Sequence, residues 1–400
     1  MKVYYENIEF WHLITLPIYF VLVYLILTTF AKRILISDSK YINIHFLGLL
    51  LFYLAIGLVD YKIKLIPYFP DTNLFTRILE TGVTPQNQSI GVKIGYKFLA
   101  IPIYLISLKS IFNYFLFNIL FFQLGLIFLA GAFNRTYDIK DVWVQRFYLL
   151  LAALAPSIVV YSFTPLRESY FVLALGLFFY GMTGKYKLNY YLIFGVILAG
   201  ILRIQLLLYF FIIVGLQYLV QLKLNRKMVI GLILVLFPVF FVVLNFLSTS
   251  ILNIPISPQS LSLFRNVQRM NYFESGVTYP EVDWRTWLDL ILDFPGLFFQ
   301  FLLAPFPVII FIPFWTKLAY FADGLYLLFL LFICLIFIKN IKKYSLWMIY
   351  IGVYVGMSAF FEFHLLGAVR HRLPATLLLL SIAAQALAYY LPKYKWIFRY

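Results

Sequence analysis

Apolar residues in this chain come in long, nearly unbroken runs, without the alternation of a half-buried strand or the one-sided stripe of a soluble helix. Such runs predict membrane-spanning helices at about 8–31, 42–59, 111–133, 147–163, 168–183, 189–202, 204–222, 228–247, 318–338, 344–361 and 373–391. Two further apolar stretches are interrupted. Residues 98–108 are short and contain Pro102, and 297–315 carries Pro305, Pro307 and Pro313. Proline at membrane depth frees backbone groups that protein or a wet cavity must satisfy, so both read as re-entrant or interfacial segments. The pattern predicts an all-α fold, a polytopic transmembrane helical bundle of about 11 spans forming one transmembrane domain over 1–400. Polar sequence gathers in two long outer loops, 60–97 and 248–296. Loops of that length generally carry function.

Composition agrees with the pattern. The chain is 64% hydrophobic and 12% charged, against about 25% charge in soluble domains. That excludes a soluble enzyme, a disordered chain and a nucleic-acid-binding module, despite a net charge of +16. In a membrane protein the placement of charge matters more than its sum. Short connections around 32–40, 135–146, 185–187, 223–227, 339–343 and 393–399 hold 17 basic residues and three acids, while the other face holds 15 and 13. Lys and Arg accumulate in short cytoplasmic loops, so the N-terminus is expected outside and the C-terminus in the cytoplasm. Cys334 stands alone in an apolar run and leaves no Cys-based metal site. Glu6 and Glu9 outnumber Lys2 ahead of the first run, unlike the basic start of a cleaved signal peptide, so the first helix is expected to stay.

Ionisable residues cluster at the outer ends of the spans. Arg167 and Glu168 occupy the short turn Phe163-Thr-Pro-Leu-Arg-Glu-Ser169, and Arg203 sits between two short spans in Ile201-Leu-Arg-Ile-Gln205. Asp71 follows Pro70 in the first outer loop. Arg265 and Arg269 lie at i, i+4 in the second, and Glu362, His364, Arg370, His371 and Arg372 crowd the last. Charges at or inside a bilayer are costly and point to function. Each also has a plainer reading. Arg167 and Glu168 serve as span-end caps, with Arg167 snorkelling to lipid phosphate. Asp71 is a turn residue after proline, Arg265 and Arg269 form a solvated face, and the two histidines are structural.

Several arginines with one or two carboxylates have a specific use. Guanidinium binds phosphate through paired charge-assisted hydrogen bonds. A lipid diphosphate held by Arg167, Arg203 and the loop arginines Arg265, Arg269, Arg370 and Arg372 would leave a sugar carbon more readily where positive charge meets its developing negative charge. A carboxylate, Asp71 or Glu168, would take the proton of the acceptor hydroxyl. The cofactor is unknown: a divalent metal has no clear ligand set in the sequence.

The stretches Pro156-Ser-Ile-Val-Val-Tyr-Ser162 with Leu166-Arg-Glu-Ser169, Pro295-Gly-Leu-Phe-Phe-Gln-Phe-Leu-Leu-Ala-Pro-Phe-Pro307 and Val369-Arg-His-Arg-Leu-Pro374 resemble multi-spanning proteins of bacterial surface-polysaccharide biosynthesis. Asp71, with Phe75 beyond it, resembles the first-loop acid of GT-C membrane glycosyltransferases. That resemblance implies a GT-C-like fold, a lipid-phosphate or lipid-diphosphate sugar donor, a site facing away from the cytoplasm in a bacterial inner membrane, and Asp71 as the catalytic acid. The chain departs from it where Thr72 and Asn73 replace a frequent second acid, and the soluble C-terminal domain of some members is not expected. Eleven or so spans, two outer loops and working arginines also resemble oligosaccharide repeat-unit polymerases and ligases.

The leading expectation is a membrane glycosyltransferase using a polyprenyl-linked sugar in surface-polysaccharide assembly, with the lipid bilayer and other polysaccharide-assembly proteins as partners. The second is a repeat-unit (O-antigen-type) polymerase with two arginine clusters. The third, of another class, is a lipid-linked glycan transporter.

Overall fold

A computed structural model describes residues 10–63, 70–84, 91–184, 189–221, 245, 249, 255–270, 278–306 and 318–391. Helices in chain order are α1 (Phe10–Ile34), α2 (Ser39–Ile63), α3 (Pro70–Thr81), a π-helical turn (Gly91–Tyr96), α4 (Lys97–Ile106), α5 (Ile111–Tyr137), α6 (Val142–Leu154), α7 (Pro156–Phe163), α8 (Glu168–Met182), α9 (Tyr190–Leu202) and α10 (Ile204–Gln221). They continue with α11 (Pro258–Met270), α12 (Trp287–Leu303), α13 (Leu318–Ile336), α14 (Ile338–Ile341), α15 (Ser345–Phe361), α16 (Leu365–His371) and α17 (Leu373–Tyr390). The chain is an all-α, multi-span membrane protein.

Ten of the eleven predicted spans coincide with helices, and 228–247 lies almost wholly outside the described residues. Fewer meet the length and apolarity of a full span. Among the described residues five helical stretches do: Phe10–Ile34, Ser39–Gly57, Ile111–Tyr137, Ile338–Phe361 and Leu373–Tyr390. A sixth counts if α6 and α7, bent by 70° at their junction, form one broken span. For α8, with 15 residues, and α9 the reason is length. Helices such as α9, with 13 residues, rise about 20 Å against a hydrocarbon core of about 30 Å.

Of the two interrupted segments one lies in a helix and the other begins in one. The stretch predicted at 98–108 is α4, which contains Pro102. The stretch at 297–315 begins inside α12, whose Thr286–Asp289 capping box sets a start at Trp287, within the expected outer loop 248–296. Residues 307–317 lie outside the described residues.

The described residues of the predicted single domain group into two compact units, one drawn from 1–208, 311–351 and 373–400 and the other from 209–310 and 352–372. In the first unit α5 is buried along nearly its whole length, and α8 packs against it. Gly125 and Gly176 allow this approach: a Cβ on Gly125 would stand 2.4 Å from the Val172 carbonyl oxygen, and one on Gly176 2.3 Å from that of Gly125. Small residues let helices approach closely where lipid supplies no hydrophobic drive. Trp347, fully buried, donates its indole N–H to the Leu378 carbonyl at 2.9 Å and packs with Phe133, Phe179 and Tyr350. In the second unit α11 carries Arg265, whose guanidinium reaches the last turn of α15, and α16 packs on α12.

Candidate functional site

The first unit assembles its candidate site at the turn between α7 and α8. Thr164 ends α7, and its carbonyl accepts from Asn118 Nδ2 of α5 at 3.1 Å. The next carbonyl, of Pro165, accepts from the Tyr96 hydroxyl at 3.2 Å. Tyr96, Tyr114 and Tyr170 form a buried chain of hydroxyls 3.2 Å apart. The turn is therefore clamped from two sides, and it delivers Arg167 to the N-cap and Glu168 to the first turn of α8. An acid there lies in the positive field of the helix N-terminus.

Arg203 comes from a break in another helix pair. Its backbone is extended, with φ −155° and ψ 119°, and it closes α9 where α10 begins. Gly95 in the π-helical turn packs beside this break, since a Cβ there would lie 2.1 Å from the Ile201 carbonyl oxygen. Arg203 Nη2 reaches Glu168 Oε1 at 3.8 Å, with the two side chains 19% and 6% exposed. Arg203 also stands over the Phe171 ring at 5.5 Å. Arg167 donates a long hydrogen bond, 3.5 Å, to the Leu202 carbonyl, and its guanidinium lies 5.7 Å from the Phe75 ring of α3. Two of the predicted site residues thus meet, Glu168 and Arg203, and Arg167 reaches the carbonyl of the residue before Arg203. Asp71 lies in the first turn of α3, one turn before Phe75, and its side chain is outside the described residues.

The other predicted arginines belong to the second unit. Arg265, buried, donates through Nη1 to the Ala359 and Phe360 carbonyls at 2.9 and 3.1 Å. Burial draws its guanidinium down to about 10, against the opposing pull of Glu362 and Tyr279, so it is cationic at neutral pH. Arg269 donates from Nε to the Tyr279 carbonyl at 2.7 Å and pairs with Glu281. Arg372, fully buried, donates to the carbonyls of Leu302, at 3.0 Å, and Ala304, at the end of α12. Arg370 is half-buried in the last turn of α16. Cations at helix C-termini satisfy orphan carbonyls and oppose the negative end of the dipole.

Around these arginines Glu362 is buried and fixed. Its Oε1 accepts the His364 amide at 3.0 Å, and its Oε2 lies 2.5 Å from His371 Nδ1. His364 caps α16, its Nδ1 accepting the Gly367 amide at 3.0 Å. Burial raises the Tyr279 hydroxyl, and Glu362 raises it further. Sequence alone put Glu362 and His371 in one cluster without revealing that they touch. It also gave no sign of the Phe75, Phe171 and tyrosine-chain contacts, because all of these join residues far apart in the chain.

Among the described residues no group of three or more His, Cys, Asp or Glu side chains is placed to share a metal ion. Comparison with family models, with curated proteins and with solved structures found no match to this chain.

Proposed function

We propose that the protein is a membrane glycosyltransferase that moves a sugar from a polyprenyl-phosphate or polyprenyl-diphosphate carrier on the extracytoplasmic face of a bacterial inner membrane. The reading includes a GT-C-like bundle of about 11 spans, N-terminus outside and C-terminus inside. One observation carries it: Arg203, at a helix break, meets the buried Glu168 at 3.8 Å, with Arg167 on the adjoining residue. A guanidinium on a buried carboxylate, with a second guanidinium, that of Arg167, on the carbonyl of Leu202 next to Arg203, suits a donor phosphate and an acceptor hydroxyl together. In the reaction the acceptor oxygen bonds to the anomeric carbon and the carbon–oxygen bond to phosphate breaks. The acceptor proton passes to Glu168 or Asp71. The electron pair leaves on the carrier phosphate, where Arg167 and Arg203 oppose its growing charge.

A repeat-unit polymerase is the second reading, favoured by Arg265 and Arg269 one turn apart on α11. Both guanidinium groups are engaged, with carbonyls of α15 and with Tyr279 and Glu281. The transferase reading, which does not depend on them, is therefore preferred.

Mass spectrometry of polyprenyl-linked glycans from cells carrying wild type, Arg203→Ala or Asp71→Asn tests it. A carrier one sugar short in either variant, with the protein still inserted, is expected. Complete single repeats without long chains would favour the polymerase. An unchanged lipid pool in both variants would overturn the transferase assignment.

A further inference from the structure

Helix α11 has an unusual distribution of side chains for a loop expected to face water. Ser262, Arg265 and Arg269 lie on its inner side. There Ser262 donates to the Val282 carbonyl at 2.6 Å, Arg265 to Ala359 and Phe360, and Arg269 to Tyr279 and Glu281. The opposite side is apolar. Leu263, Phe264, Val267 and Met270 are 65%, 44%, 45% and 63% exposed, and their i, i+1, i+4, i+7 spacing forms one face of a helix. The polar face is turned into the protein and the apolar face outward, the reverse of a helix on a water-soluble surface.

The depth of this helix is fixed by Arg265. The carbonyls it grips, Ala359 and Phe360, belong to the last turn of the apolar stretch Ile338–Phe361, which is long enough to cross a membrane. A helix tied to the end of a span sits at the level where acyl chains meet headgroups. In the same unit α12 also presents apolar side chains outward, with Leu288, Ile291 and Leu292 more than 60% exposed and Trp287 at its first turn. Tryptophan favours that boundary.

We infer that α11 is an interfacial helix whose Leu263–Phe264–Val267–Met270 face docks into the acyl-chain boundary of the bilayer leaflet at the end of α15. The partner is the lipid layer itself, and the driving term is burial of apolar area with the helix axis in the membrane plane. The inference stands apart from the glycosyltransferase reading, because it needs neither Arg203 nor Glu168.

The test uses full-length protein in phosphatidylethanolamine–phosphatidylglycerol nanodiscs. In a Cys334→Ala background, nitroxide labels are placed singly at Leu263→Cys, Val267→Cys and, as a control on the exposed side of the loop, Arg285→Cys. Collision with oxygen, which partitions into lipid, should exceed collision with a water-soluble nickel chelate at 263 and 267, and the order should reverse at 285. Chelate contact dominating at 263 and 267 would mean a water-exposed face, and low contact with both reagents would mean a protein-covered one. Either result overturns the inference. Hydroxyl-radical footprinting of the unsubstituted protein in the same nanodiscs reads Met270 independently: protection is expected, and rapid oxidation would count against the docking.

Discussion

Asp323 on α13 accepts the backbone amide of Ser157, in the first turn of α7, at 3.1 Å. The relationship explains how a helix can break inside an apolar bundle. Between α6 and α7 the axis turns by 70° at Ala155-Pro156, which leaves the first amides of α7 without intrahelical partners. Proline at the first helical position removes one of them, and the buried carboxylate of Asp323 satisfies the next. Tyr326, one turn further along α13, donates to the Leu151 carbonyl at 2.6 Å and secures the other side of the break.

Replacing Asp323 with Leu should therefore strand the Ser157 amide and lower stability by about 1–3 kcal/mol. Asp323→Asn, which keeps an acceptor oxygen, should cost clearly less. Thermal unfolding of purified protein in detergent reads both variants, and equal losses would show that charge, not the hydrogen bond, holds the break.

The Arg203–Glu168 pair should behave as one unit. Arg203→Gln and Glu168→Gln each leave a largely buried partner, so the double variant should be less destabilised than the two singles combined. The coupling expected of contacting groups is about 0.5–3 kcal/mol. Additive losses in a double-mutant cycle of unfolding would show that the 3.8 Å approach has no energetic content.

Gly176 stands against the backbone of Gly125, and Gly125 against that of Val172. Alanine at either drives a methyl group against backbone of the facing helix, which side-chain rotation cannot relieve. Each single substitution should lower stability by about 1–3 kcal/mol through overpacking. Gly215→Ala, whose added carbon meets nothing within 4 Å, is the control. A Gly176→Ala protein with the wild-type melting temperature would refute the close α5–α8 contact.

Acid should loosen the cap of α16. Burial lowers His364 below its ordinary 6.5, against the opposing pull of Glu362 and with His371 adding to the lowering. Its Nδ1 accepts the Gly367 amide, a role only the unprotonated nitrogen can fill. A depressed histidine binds more protons unfolded than folded, so its stabilisation is full above about 6.5 and declines as pH falls below it. His364→Asn, which can still cap, should lessen the loss of stability below about pH 6.5 relative to wild type. An unchanged slope in pH-dependent melting would remove His364 as its source.

How much was legible beforehand differs by kind of feature. Helix positions could be read from the chain through one local property, a run of apolar residues, but not the number of full crossings, since five helical stretches, or six with the bent pair, reach span length and apolarity among the described residues. Arg203 was recognisable as a break for the same reason: a guanidinium between two apolar runs cannot lie in lipid unaided. The start of α12 was misplaced at 297 because Asp289 and Asp293 read as loop residues. In the structure Asp289 closes the capping box with Thr286, and Asp293 accepts the indole N–H of Trp284 at 2.8 Å.

The chain alone establishes that the protein is helical and lies in a membrane, and it puts most ionisable residues, though not Asp323, at the ends of apolar segments. These follow from hydration and from the need of every backbone group in lipid for a local partner. Which charges meet follows from the packing of the helices. It paired Arg203 with Glu168 across 35 positions of the numbering, set Arg265 and Arg372 on helix-end carbonyls, and gave Asp323 to an amide 166 residues away. A guanidinium looks the same in sequence whether it binds a ligand, a carboxylate or a carbonyl. Its partner is set by how the helices pack, and in this chain that depends on small residues, breaks and caps distributed over distant segments.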